Sequence, residues 1–203
     1  MTKGGLFVIS GPSGVGKSTV IKKALELSPE TVLSVSATTR AKREGEAEGV
    51  NYYYKTVDKF NEMIENDEFM EWAKFCENFY GTPRKPVLDN LNSGKDVILE
   101  IETCGAMKIM DKYPQAITIF ILPPSIDTLK KRLTDRGTET DEVIRERLAV
   151  AEKEISLSGK YTYNIINDTV EQAAGDIITV MKAELLKTSR KNLNYDKERG
   201  SEK

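Results

Sequence analysis

The residue types best suited to chemistry are gathered in one stretch, Ser10-Gly11-Pro12-Ser13-Gly14-Val15-Gly16-Lys17-Ser18-Thr19. It fits the phosphate-loop pattern G-x-x-x-x-G-K-S/T through Gly11, Gly16, Lys17 and Ser18. The glycines let the backbone take positive φ and approach a phosphate closely. Loop N–H groups and the start of the following helix then converge on the anion. Lys17 supplies a mobile positive charge for β- and γ-phosphates, and Ser18 offers a hydroxyl to Mg²⁺. Gly11 to Thr19 is therefore the expected ATP site.

Other candidates are weaker on their own. Arg40 and Arg43 lie three apart in a polar loop, and guanidinium groups suit phosphate because one can bind two oxygens at once. The Lys42–Glu48 run is rich in both signs, so a solvated charged loop fits equally well. Tyr52 and Tyr80 fit either a site or core aromatics with wet hydroxyls. Glu71 is opposite in parity to Met70 and Trp72, so spacing alone places it on a strand surface. Histidine is absent, which removes a histidine general base, histidine metal ligands and a phosphohistidine intermediate. Cys76 and Cys104 have no metal-ligand spacing and fit reduced thiols of a cytoplasmic protein. Cys104 is expected to be a small buried packing residue.

The elements that must position these residues follow from pattern. Apolar, β-rich runs recur at Leu6–Ile9, Val32–Val35, Val97–Ile101, Ile117–Leu122 and Tyr163–Ile166. Helical patterns lie between most of them, which predicts a parallel sheet with helices on both faces. Between Thr38 and Ser93 the alternation breaks. Tyr52–Tyr54 reads as a strand, Val57–Asn66 as a helix, Phe69–Phe75 as a strand, Phe79–Pro83 as a turn, and a helix begins at Pro86. Ser125 is the expected N-cap of a helix through Arg132. Asp141 and Glu142 open a further helix, with Ile144, Leu148, Ala151 and Ile155 on one face. A helix over about Val170–Leu186 closes the fold. From Ser189 the chain is charged and nearly without apolar residues, so a disordered tail is expected over 189–203.

The chain has 203 residues, 31% charged and 39% hydrophobic, with a net charge of -2. That is ordinary for one soluble domain with insertions, and it argues against a non-specific nucleic-acid binder. No apolar run is long enough for a membrane span, and Leu6–Ser10 is too short for a secretory signal.

A wider set of residues resembles the guanylate kinases. It comprises Gly11–Thr19, Ser34–Arg40, Arg43 with Gly45-Glu46, Tyr52, Glu71-Trp72, Tyr80-Gly81-Thr82, Ile121–Ser125, Arg132-Leu133 with Arg136-Gly137, Arg147-Leu148 and Asn167-Asp168. The resemblance implies an α/β fold: a parallel five-stranded core sheet flanked by helices, a small α+β GMP-binding insertion and a helical lid. The expected division is core 1–36, 94–124 and 157–188, insertion 37–93 and lid 125–156. It implies that Arg40, Arg43, Tyr52 and Tyr80 hold the GMP phosphate and that Ser36, Glu71 and Thr82 read guanine. Glu100 would serve the acceptor site or the water shell of Mg²⁺, Asn167 the ATP site, and Arg132, Arg136 and Arg147 the transferring phosphoryl group beside Lys17. Two segments depart from the family pattern: Lys42 replaces a usual proline, and Thr103-Cys104 a segment that usually carries glutamine.

The expected reaction is MgATP + GMP giving ADP + GDP, with small-molecule substrates and neither nucleic acid nor membrane as partner. Monomer and homo-oligomer are left equally open. Two rivals remain at this stage. Non-catalytic binding modules of the same fold usually lack an intact phosphate loop, which Gly16-Lys17-Ser18 retains. A kinase with another acceptor would differ at Ser36, Glu71 and Thr82.

Overall fold

A computed structural model describes residues 3–75, 77–134 and 140–187. Along the chain run β1 (Leu6–Ser10), α1 (Lys17–Leu27), β2 (Val32–Leu33), β3 (Ala37–Thr38), β4 (Tyr53–Tyr54), α2 (Val57–Glu65), β5 (Phe69–Phe75), β6 (Asn78–Pro83) and α3 (Arg84–Asn92). They are followed by β7 (Val97–Glu100), α4 (Thr103–Lys112), β8 (Ile117–Leu122), α5 (Ile126–Thr134), α6 (Asp141–Ser156), a short 3-10 turn, β9 (Tyr163–Ile166) and α7 (Val170–Leu185).

The five expected core strands form one sheet in the order β2-β7-β1-β8-β9, every pair parallel. Strands in such a sheet are unbroken apolar runs because helices cover both faces. Successive residues of β1 separate accordingly. Phe7 and Ile9 join Ile21 of α1 and Ile177 of α7 in one cluster, while Leu6 and Val8 join Val87 and Leu91 of α3 and Ile109 of α4 in the other. β2 and β7 end earlier than expected, at Leu33 and Glu100. The connection order reverses at β1, where a crevice opens beyond the carboxyl ends of the strands. Register puts Glu100 beside Ile9, directly before the glycine loop.

A second sheet, in the order β4-β3-β6-β5, fills the interruption. Phe60 of α2 stacks on Phe69 at 4.5 Å and on Phe79 at 5.5 Å, anchoring that helix to the sheet. The expected turn at Phe79–Pro83 is instead part of strand β6, paired antiparallel with β5. Turn propensity at Gly81 is overridden by packing, because a Cβ there would lie 2.9 Å from Phe69 Cδ1.

In the α5–α6 segment, Ser125 Oγ accepts from Thr128 N–H at 3.0 Å, the cap the sequence suggested. Leu129 and Leu133 pack on Leu148 and Ala151, joining the two helices. Ile155, at the far end of the expected stripe, packs instead against the core. On α7, Ala173, Ala174, Ile177, Ile178 and Met181 are buried, and Val180 and Leu185 pack against the same cluster partly buried. Arg136, Cys76 and the tail lie outside the described residues.

Candidate active site

β1 runs straight into the glycine loop, and α1 begins at Lys17. Gly16 occupies the N-cap with φ 96° and ψ 24°, a left-handed conformation that disfavours any side chain, and no side chain caps the helix. The first-turn N–H groups of α1 are thus left to an anion. Val15, inside the loop, is fully buried. Its carbonyl accepts from Arg132 Nη1 at 3.1 Å and from Asn167 Nδ2 at 2.7 Å. Arg132 Nη2 also donates to Asn167 O at 3.0 Å, and Arg147 Nη2 donates to Ser13 Oγ at 2.8 Å. Arg132 and Arg147 are therefore both tied to the phosphate loop, Arg132 to Asn167 as well.

Lys17 Nζ donates to Gly11 O at 2.6 Å and lies 3.8 Å from Glu102 Oε2. Ser18 Oγ donates to Glu100 Oε1 at 2.6 Å. Sequence reasoning passed over Glu154 of α6, which accepts from Thr103 Oγ1 at 2.9 Å. Burial raises the Glu154 pKa, and Glu102 adds repulsion.

From Lys17 and Ser18 a cleft of about 690 Å³ runs past Ser36, Tyr52, Tyr80 and Glu100 to Glu71. Glu71 is buried at 6% exposure, against the surface position its spacing suggested. The reason is a register irregularity in β5 between Phe69 and Glu71. An irregularity of this kind changes which side chains share a face. Phe69 and Trp72, three apart, pack in one cluster, and Met70 packs in another, with the core. Thr82 Oγ1 donates to Glu71 Oε1 at 2.8 Å, so Thr82 orients the carboxylate. Burial raises the Glu71 pKa, opposed by that hydrogen bond and by Lys108. A Cβ at Gly105 would lie 2.6 Å from Glu71 Oε2, so only glycine leaves room for the carboxylate beside α4. Nothing in the spacing of Gly105 signalled this contact. Cys104, expected to be buried, is exposed and lines the cleft, because the turn of α4 that turns Gly105 toward Glu71 leaves its neighbour at the opening.

Arg40 is nearly buried, with its guanidinium 5.4 Å from the Tyr52 ring centre. Tyr52 and Tyr80 sit edge to face, 6.1 Å apart. Glu46 accepts from Arg40 Nη1 at 3.1 Å and Nη2 at 2.7 Å, from Arg43 N–H at 2.8 Å and from Tyr54 Oη at 2.8 Å. Hydrogen bonding to Arg40 above all holds the Glu46 carboxyl down to about 2. The Arg43 side chain is exposed on the same loop.

A parallel sheet whose central strand enters a phosphate loop, with a cleft leading from that loop to a buried carboxylate, defines a phosphate-loop nucleotide-binding α/β protein. A family model described as guanylate kinase matches residues 3–184, and the chain belongs to the guanylate kinase family. It is 48% identical to the guanylate kinase of Carboxydothermus hydrogenoformans over 192 residues, covering 95% of this chain and 94% of that one. With the guanylate kinase of Clostridium acetobutylicum the identity is 50% over 188 residues, 93% of this chain and 90% of that one. The crystal structure of guanylate kinase from Anaplasma phagocytophilum superposes with a TM-score of 0.77 at 38% identity, covering 94% of this chain and 90% of that one.

Proposed function

We propose that the protein transfers the γ-phosphoryl group of MgATP to GMP and dGMP, giving ADP and GDP or dGDP. The observation that carries this reading is the buried Glu71–Thr82 pair, placed along one cleft from Lys17 and Ser18. Guanine presents two adjacent donors, N1–H and the exocyclic amino group, and an ionised carboxylate accepts both. Ser36, also in the cleft, offers a hydroxyl for O6.

In this reading residues 37–93 hold GMP and 125–156 form the lid. Tyr52, Tyr80, Arg40 and Arg43 hold the acceptor phosphate. That phosphate has a second pKa near ~6 and is its own nucleophile, so no general base is required. The remaining difficulty is bringing two polyanions into line, which is a matter of position and charge. Lys17 neutralises the transferring group. Arg132 and Arg147 brace the loop that carries the donor phosphates, and Arg136 joins them on lid closure. Asn167, buried with its Oδ1 unpartnered among the described residues, completes the ATP side.

Ser18 Oγ and Glu100 are hard oxygen donors 2.6 Å apart, a pair that fits hydrated Mg²⁺ shared with ATP phosphates. Among the described residues no cluster of three acidic or cysteine side chains offers an all-protein metal cage, which suits an ion that arrives with the nucleotide. Bound there, the ion supplies further neutralisation of the transferring charge. No described helix is long and apolar enough to cross a membrane, and we assign the protein to the cytoplasm and to purine nucleotide metabolism.

The direct test is ADP release from MgATP with GMP, dGMP, AMP, CMP and UMP in turn. GMP and dGMP are expected to drive turnover and AMP to be nearly inert; preference for any other monophosphate overturns the reading. A second expectation concerns Gly105→Ala. Its new Cβ forces Glu71 to shift, and misplacement of this size costs ~10- to 100-fold in kcat/KM for GMP. The KM for ATP should not change.

A further inference from the structure

We infer that Glu46 is the positioning residue that aims Arg40 at the acceptor phosphate, by occupying the guanidinium edges that phosphate must not use. The inference rests on the GMP reading above and assigns a role to a side chain outside the set that reading uses.

A guanidinium carries five N–H donors in a fixed fork. Glu46 takes the end-on pair, one from Nη1 and one from Nη2, at 3.1 and 2.7 Å. The second Nη1 hydrogen goes to Ala41 O at 2.8 Å. What remains is the side edge formed by Nε–H and the second Nη2 hydrogen, for which no partner exists among the described residues. That edge presents two parallel donors, the geometry that matches two oxygens of one phosphate. The Tyr52 ring, its centre 5.4 Å from the guanidinium carbon, flanks the group, so ring and carboxylate together leave Arg40 little freedom.

Glu46 is itself fixed. Besides Arg40 it accepts from the Arg43 N–H and from Tyr54 Oη, each at 2.8 Å. It thus ties the arginine loop to β4 and sets where the free edge sits before any substrate arrives. A preoriented fork loses less freedom on binding than a loose arginine would.

The contrary effect has to be weighed. Glu46 is an anion near an anionic ligand, so neutralising it also removes repulsion. If Glu46 only balanced charge, Glu46→Gln would tighten GMP binding. If it aims Arg40, the new amide sets a donor against one Nη hydrogen, the fork turns, and binding weakens. The sign of the change separates the two.

The experiment compares wild type, Glu46→Gln and Glu48→Gln. Glu48 accepts from Tyr54 N–H at 2.9 Å in the same segment and serves as the control for general damage. Steady-state kinetics and GMP calorimetry are measured, with melting temperature alongside. In Glu46→Gln the KM and Kd for GMP should rise about 10- to 100-fold, the effect of losing a charge-assisted contact. Its kcat at saturating GMP and its KM for ATP should stay near wild type, and Glu48→Gln should leave all of these unchanged. Tighter or unchanged GMP binding, a fall in kcat alone, or an equal loss in Glu48→Gln overturns the inference. Should Glu46→Gln fail to fold, Tyr54→Phe removes one donor to Glu46 and is expected to raise the GMP KM about twofold to fivefold; an unchanged KM there also overturns it. A wild type that does not use GMP defeats both this inference and the functional reading, whereas a wild type that uses GMP alongside an indifferent Glu46→Gln defeats this one alone.

Discussion

Lys17→Ala should yield a folded protein whose turnover of ATP and GMP has fallen by ~10² or more, because removing one preorganised charge from a dry reacting site costs at least that much. The structure supports both halves of this expectation. Lys17 Nζ is held by Gly11 O at 2.6 Å, and its charge partner among the described residues is Glu102, at a distant 3.8 Å. Its loss removes no core packing, since Val20, Ile21 and Ala24 bury the helix that follows. Stability should therefore change little while kcat collapses. The decisive comparison is kcat at saturating substrates together with the melting temperature. A purified Lys17→Ala protein with near-normal kcat would show that the charge at the transferring phosphate comes from elsewhere.

Local chemistry was the legible part of the sequence. A phosphate loop is short, and its glycines, lysine and hydroxyl act through backbone geometry that neighbouring residues dictate. The core strands were legible for a related reason, since a strand buried on both faces is a continuous apolar run. The Glu71–Thr82 pair was readable only through resemblance. Its position depends on the irregularity in β5 and on Gly105 of α4, thirty-odd residues away, which leaves room for the carboxylate. Period-two parity cannot see either. The segment Phe79–Pro83 failed in the same way, because its glycine answers to the Phe69 ring across the sheet and not to a turn. Cys104 followed the usual burial of free cysteine on paper, but the cleft wall is built by α4 and leaves that side chain open.

Arginines divide similarly. Residue type alone left Arg40 open between a phosphate site and a solvated loop, and only the family resemblance gave Arg132 and Arg147 a phosphate role. What each one touches depends on partners far apart in sequence: Glu46 and Tyr52 for the first, Val15 and Asn167 for the second, Ser13 for the third. The network around Glu46 also has an acid signature. A carboxyl held down to about 2 contributes stability above the ordinary carboxylate range, and that contribution is lost as pH falls from there toward about 2.

Glu71→Gln is expected to move activity and stability in opposite directions. A site built to satisfy N1–H and the amino group of guanine leaves its carboxylate desolvated and unpartnered against adenine, which carries a lone pair at N1. Such sites reject the wrong ligand by ~10⁴. Glutamine keeps the shape and can still accept from Thr82, but its amide sets a donor against one guanine donor. The kcat/KM for GMP should fall by ~10² or more, and the GMP-over-AMP ratio should shrink with it. Stability should go the other way. Burial raises the Glu71 pKa, so the folded protein favours the protonated form more than the unfolded chain does. The fold is then most favoured below the unfolded carboxylate pKa of ~4.3 and loses stability as pH rises through the raised value. The guanine-reading role requires Glu71 ionised at neutral pH, where it is a buried charge that glutamine lacks, so on that role Glu71→Gln should melt higher there. At pH 4, where Glu71 is largely protonated, the gap should close. Melting curves at both pH values without nucleotide, read beside kcat/KM for GMP and AMP, test the two signs together. If Glu71→Gln melts lower at neutral pH and keeps its preference for GMP, the carboxylate is a structural partner of Thr82 and guanine is read elsewhere in the cleft. If it melts higher and loses that preference, the burial of Glu71 is a stability cost retained for base selection.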